Sequence, residues 1–256
     1  MCYDDNALPP DPPGANGKAH GEDVVLTAED GNRFAAYIAH PDHPTGAQMV
    51  IYPDVRGLHN FYKELALRFA EVGIEALAMD YFGRTAGLTS RDESFEFWPH
   101  VQQLQLPNIF ADARAAIARL RTTTGGSGST FIVGFCLGGS LSLYTATEPM
   151  DLAGVIPFYA GLSRDMDAGK GSVLQAAQHV KYPVLGFFGG ADQNIPVEQV
   201  QELDKALDQA GVEHEIVIYP GAPHSFFDRR FAEFAQESED AWRRMLGFIT
   251  AHTSAQ

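Results

Sequence analysis

Two spacings of apolar residues take turns along this chain, one of period two and one of three to four. Residues 23–41 alternate apolar and polar on either side of Glu29-Asp30-Gly31-Asn32, which predicts two strands joined by a turn. Gln48–Tyr52 is a short apolar run ending at Pro53 and reads as a buried strand. Over Asn60–Val72 the spacing becomes helical, with Phe61, Leu65, Phe69 and Val72 on one face. Ile74–Met79 predicts the next strand. Residues 82–106 break the rhythm with Gly83, Gly87 and Pro99, and predict an inserted excursion with a short helix near Glu93–Trp98.

The alternation then resumes. Asn108–Arg121 predicts a helix, and 122–129 a flexible surface turn. Phe131–Phe135 reads as a strand, Leu137–Thr147 as a helix, and Leu152–Phe158 as a strand. A small helix near 172–179 follows, then strand Val184–Gly189 and helix Val197–Ala210, opened by Pro196 and closed by Gly211. Glu215–Tyr219 is the last strand and Phe231–Ile249 the final helix. Strands separated by helices predict an α/β fold: a mainly parallel eight-stranded sheet, helices on both faces, and the N-terminal hairpin as an antiparallel edge. Residues 1–22, rich in Pro, Gly, Asp and Asn, read as a tail that drapes over the body or stays mobile, and 23–256 as one domain.

Composition changes the picture mainly by exclusion. Of 256 residues 45% are apolar, enough for a packed core, and the net charge of −15 disfavours nucleic acid and anionic membrane surfaces as partners. No apolar run is long enough to span a membrane, and the N-terminus lacks a secretory pattern. Cys2 and Cys136 are too few for a disulfide framework. A cytoplasmic address is the expectation, and the oligomeric state is not readable.

The chemistry concentrates in Phe131–Ser140. An apolar strand runs into Gly134-Phe135-Cys136-Leu137-Gly138, and a helix starts at once. This is the nucleophile-elbow pattern with cysteine at the centre. The glycines are read as making room for a nucleophile on a strained turn, and the helix N-terminus favours a thiolate. A thiol needs a base, and the base needs orientation. His224 lies just beyond the last strand and Asp192 just beyond strand 184–189, so all three fall at the carboxyl edge of the sheet in the order nucleophile, acid, histidine. Each residue also has a plainer reading: Cys136 as core, His224 as a surface histidine, Asp192 as a turn or helix cap.

Five segments carry a family resemblance: Val50–Gly57, Met79–Arg84, Gly134–Gly139, Gly189–Asp192 and Pro223–Phe226. Together they resemble the dienelactone hydrolase (carboxymethylenebutenolidase) family of the α/β-hydrolase superfamily. The resemblance implies a triad of Cys136, Asp192 and His224, and an oxyanion hole from the backbone N–H groups of Leu137 and Val55. It places Asp54, one methylene shorter than the family's usual Glu, where an acidic side chain meets the thiol. It places Arg84 at the first of two positions that grip a substrate carboxylate. The second position holds Asp228, beside Arg229, and Arg56 stands where an aromatic residue commonly lines the pocket. The implied activity is cleavage of an ester or enol lactone through a thioester, with a small-molecule substrate and neither metal nor organic cofactor. A broad carboxylesterase and a non-catalytic binding module of the same fold stand as alternatives.

Other candidates are weaker. His40 and His43 form a histidine pair in a proline-rich loop with no third ligand evident. His59 either lines the pocket or flanks helix 60–72. Phe226, Phe227, Phe82 and Trp98 either wall an apolar pocket or belong to the core.

Overall fold

The computed structural model describes residues 6–123, 125–166 and 171–254; Cys2, Tyr3 and Thr124 lie outside these. β1 (Ala19–Thr27) and β2 (Arg33–Pro41) pair antiparallel over their whole length, closed by a turn in which Ala28 N–H donates to Asn32 O. β1 starts inside the expected tail, because nine-residue β2 offers ladder partners as far as Pro41, opposite Ala19. The chain continues as β3 (Ala47–Tyr52), α1 (Asn60–Glu71), β4 (Glu75–Met79), and two single-turn helices, α2 (Gly83–Ala86) and α3 (Trp98–Val101). Then come α4 (Leu106–Thr123), β5 (Ser129–Phe135), α5 (Leu137–Thr145), β6 (Gly154–Phe158), α6 (Val173–Ala176), β7 (Val184–Gly189), α7 (Val197–Ala210), β8 (His214–Tyr219) and α8 (Ala235–His252).

The strands form one eight-stranded sheet in the order β1-β2-β4-β3-β5-β6-β7-β8. β2 runs antiparallel to β4, and every pair from β4 through β3 to β8 is parallel. The chain leaves β3 toward β4 and returns to β5 on the other side, so a crevice opens above the carboxyl ends of β3 and β5. β3, β4, β6 and β7 are buried at every position, as strands covered on both faces must be. α1 turns Phe61, Leu65 and Phe69 inward, and Phe69 meets Trp242 of α8 at 4.9 Å between ring centres. Trp242 also fastens the N-terminal segment: its indole N–H donates to Pro10 O at 3.1 Å, and Pro9, Pro10 and Pro12 are buried. No helix among the described residues is long and apolar enough to cross a membrane.

Two element boundaries differ from expectation for local reasons. The short helix of the excursion starts at Trp98 rather than near Glu93, because Pro99 suits a first helical turn and no later one. α8 begins at Ala235, not Phe231. The intervening residues close tight turns instead, Phe231 N–H donating to Asp228 O and Glu233 N–H to Arg230 O.

Candidate active site

Cys136 sits between β5 and α5 with φ 54° and ψ −111°, a left-handed backbone for a residue with a side chain. The flanking glycines explain how this conformation is reached. A Cβ on Gly134 would lie 2.1 Å from Gly138 O, and one on Gly138 would lie 2.2 Å from Tyr52 O. They let β5, α5 and the end of β3 approach backbone to backbone. Cys136 is partly exposed and in no disulfide, and its peptide N–H donates to Phe158 O at 3.1 Å. The sulfur is therefore carried at the N-terminus of α5, where first-turn N–H groups lack intrahelical acceptors and favour negative charge.

The loops after β7 and β8 meet by the same device. A Cβ on Gly189 would lie 2.3 Å from Ala222 O, and Gly190 and Ala191 donate N–H bonds to Tyr219 O and Ala222 O at 2.8 and 3.0 Å. This close seam brings Nδ1 of His224 to 2.7 Å from Oδ2 of Asp192. The Asp192 side chain is 1% exposed and that of His224 24%. The other Asp192 oxygen accepts from Asn194 N–H at 2.8 Å, which fixes the carboxylate plane. A carboxylate only accepts, so the proton belongs on Nδ1 and Nε2 is left as a base.

The loop after β3 supplies the facing wall. Asp54 is fully buried: its N–H donates to the Tyr62 hydroxyl at 3.0 Å, and its Oδ1 accepts from Arg56 N–H at 2.9 Å. The N–H groups of Gly57, Leu58 and His59 all have acceptors, whereas among the described residues that of Val55 meets none. Leu137 is the first residue of α5, where a backbone N–H has no intrahelical acceptor. His59 is the N-cap of α1, its Nδ1 accepting from Phe61 N–H, so its position is explained by the helix.

Arg84, Arg56 and Arg229 have three different surroundings. Arg84 is held by Asp112 at 2.8 Å and by Asp30 at 2.5 Å, and Arg84 in turn holds the Asp30 carboxyl below its ordinary range. Its charge is thus already met by two carboxylates. Arg56 is buried in the β3 loop, and Arg229 is exposed while its N–H donates to Asp228 Oδ1. Phe226 and Phe227 are core residues. Phe226 packs edge-on against Tyr159 and Tyr219, and Phe227 stacks on Phe135. Phe82 is buried and Trp98 is 54% exposed. His40 is engaged by Glu75 at 2.7 Å.

Two features went unread in the sequence. Tyr159 follows the last residue of β6 with φ 34° and is fully buried. Its ring centre lies 4.9 Å from that of His224, and its hydroxyl donates to Asp228 Oδ2 at 2.9 Å. Burial, then the Asp54 charge, pushes the Asp228 carboxyl up to about 7, with the Arg229 N–H, the Tyr159 hydroxyl and His224 opposing. An aromatic residue at the same sheet edge as Cys136 was the available signal. The second feature is Arg91. Its guanidinium grips both oxygens of fully buried Asp80, at 3.1 and 2.8 Å, and lies over the Phe95 ring at 4.5 Å. Asp80 also accepts from Leu58 N–H and Phe82 N–H, so this pair ties the excursion to the loop that carries Val55.

Comparison with known proteins bears on the family and the fold. The sequence pattern of the dienelactone hydrolase family matches residues 34–253. A protein of Methylorubrum extorquens, provisionally named carboxymethylenebutenolidase, is 32% identical over 90% of this chain and 80% of its own. A protein of Yersinia pestis with the same provisional name is 29% identical over 87% and 85%. Among solved structures, a provisionally named dienelactone hydrolase from Klebsiella pneumoniae superposes with a TM-score of 0.79 at 23% identity, covering 91% of this chain and 98% of that one. A dienelactone hydrolase-like promiscuous phosphotriesterase from metagenomic libraries superposes with a TM-score of 0.75 at 21% identity, over 93% and 100%.

Proposed function

Since this chain belongs to the dienelactone hydrolase family and is a hydrolase of that type, we propose that it cleaves an ester or enol-lactone bond through Cys136, His224 and Asp192, by way of a thioester. The observation that carries this reading is the 2.7 Å contact between His224 and Asp192 on the sheet edge where Cys136 is held in a left-handed turn. His224 Nε2 takes the thiol proton, and the sulfur attacks the carbonyl carbon. The N–H groups of Leu137 and Val55 receive the negative charge that forms on oxygen, each worth about 3 kcal/mol in comparable sites. Collapse expels the alcohol or enol, protonated by His224, and leaves the acyl group on sulfur. His224 then removes a proton from water as the water attacks the thioester, and the acid departs with the thiol restored. A thiolate suits esters with good leaving groups, such as aryl and enol esters, better than amides.

The test is direct. Incubation with an aryl ester or enol lactone and rapid acid quench should give a mass increase equal to the acyl group, on the peptide containing Cys136. Cys136→Ala should lower turnover at least about a thousandfold and abolish the adduct. An adduct elsewhere, or an unimpaired alanine variant, overturns the assignment.

A further inference from the structure

We propose that Tyr159 is a positioning residue for the reaction, its buried ring holding the imidazole of His224 at the angle that its work as a base requires. The inference rests on the hydrolytic reading above and deepens it. Backbone strain marks the position. Among the described residues, four other than glycine have positive φ: Cys136, Asp151, Tyr159 and Ser225. Cys136 is the nucleophile of that reading, Ser225 follows His224, and Tyr159, at φ 34°, follows the last residue of β6. Such backbone is costly for a residue with a side chain and persists where the surrounding structure enforces it. Phe135 pairs with Phe158 across β5 and β6, Cys136 N–H donates to Phe158 O at 3.1 Å, and Tyr159 N–H donates to Phe187 O of β7 at 2.7 Å. Tyr159 therefore stands at the sheet edge between the strand that leads to Cys136 and the strand that leads to Asp192.

The 2.7 Å contact with Asp192 fixes Nδ1 of His224 but not the plane of the imidazole, because the terminal torsion of histidine is broad and the ring can swing about that bond. Tyr159 supplies a second contact, with ring centres 4.9 Å apart and planes inclined by 54°. A brace must itself be held. Phe226 meets the Tyr159 ring edge-on at 5.7 Å and Phe158 at 5.9 Å, and the hydroxyl donates to Asp228 Oδ2 at 2.9 Å. The other Asp228 oxygen accepts from Arg229 N–H. His224 is partly exposed while Tyr159 is fully buried, so the brace acts from the interior and touches the base, not the substrate. Packing alone would be served by a phenylalanine on relaxed backbone.

The experiment compares Tyr159→Leu and Tyr159→Phe with the wild type in two ways. One is turnover of 4-nitrophenyl acetate. The other is the far-downfield proton resonance of the His224 Nδ1–H held by Asp192, identified by its loss in Asp192→Asn. In Tyr159→Leu the imidazole can swing, so kcat should fall by about ten- to a hundredfold with KM nearly unchanged, the mark of a misplaced group that acts in the transition state. The resonance should broaden or vanish in the folded protein. Tyr159→Phe keeps the ring and should stay within about fivefold of the wild type, the worth of one hydrogen bond, with the resonance in place. A tyrosine that only filled the core would, on truncation to leucine, lower the unfolding temperature and leave kcat and the resonance of the folded protein where they were; that result overturns the proposal. A Tyr159→Phe protein that loses the resonance, or falls as far in rate as Tyr159→Leu, overturns it too, and this arm stands even where the leucine variant does not fold. An active wild type beside an unimpaired Tyr159→Leu defeats this inference alone, whereas a wild type inert toward aryl esters and enol lactones defeats the ester-hydrolase reading with it.

Discussion

The crevice has two walls built in different ways. On the side of β5, β7 and β8, backbone touches backbone: Gly134 and Gly138 close β5 against α5 and β3, and Gly189 closes the β7 loop against the loop carrying His224. On the side of β3 and the excursion, side chains do the holding. Arg91 and Asp80 are both buried, and through Leu58 and Phe82 N–H groups they anchor the loop bearing Val55. The first wall depends on the absence of side chains and has little latitude. The second depends on an ion pair whose removal leaves a buried charge behind, so it fails by losing a partner rather than by collision.

This contrast can be broken at its strongest point first. Gly138→Ala puts a methyl 2.2 Å from the Tyr52 carbonyl oxygen. The expected outcome is failure to fold, or a loss of stability on the order of 4–5 kcal/mol in urea unfolding. A soluble, active Gly138→Ala protein would show that the backbone seam has slack. Arg91→Ala should cost about 3 kcal/mol by the same measurement, because Asp80 is left unpaired in the interior. It should also lower kcat on any ester substrate, since Val55 loses its anchor. Unchanged kcat beside lower stability would separate the excursion from the chemistry and sharpen the comparison.

The effect that depends on pH concerns Asp228, and its sign follows from linkage. Its carboxyl has an ordinary value of 3.8 and is pushed up to about 7 in the fold. Between those values the folded state binds more protons than the unfolded one, so this group's contribution falls as pH rises from 3.8 to about 7. Asp228→Asn has no such slope. Below about pH 5 the two proteins should unfold at similar temperatures. At pH 8.5 the variant should be the more stable, by up to about 4 kcal/mol. Parallel curves across this range would show that Asp228 ionises in the fold as freely as in water.

Much of the first wall was legible in the chain. Glycine two residues either side of Cys136, and the Gly189-Gly190 pair before Asp192, are local patterns. The spacing suggested room for a nucleophile on a strained turn; that Gly138 also lies against the Tyr52 backbone at the end of β3 was not readable from it. The second wall was hidden. Arg91 stands in a stretch without periodicity, eleven residues beyond Asp80, and nothing in the spacing pairs them. Arg84 was the more visible arginine because a short motif contains it, yet it is engaged by Asp30 from the hairpin turn and Asp112 from α4. Tyr159 was passed over because it lies one residue beyond its strand.

The sequence by itself determined the order of strands and helices, the parallel sheet, and the edge at which Cys136, Asp192 and His224 emerge. These follow from apolar periodicity, glycine placement and chain order, each a property of residues close together in the chain. Tertiary structure alone decided which acids and arginines engage one another. Ion pairing in a low-dielectric interior depends on distances between residues far apart in sequence, and packing is what sets those distances.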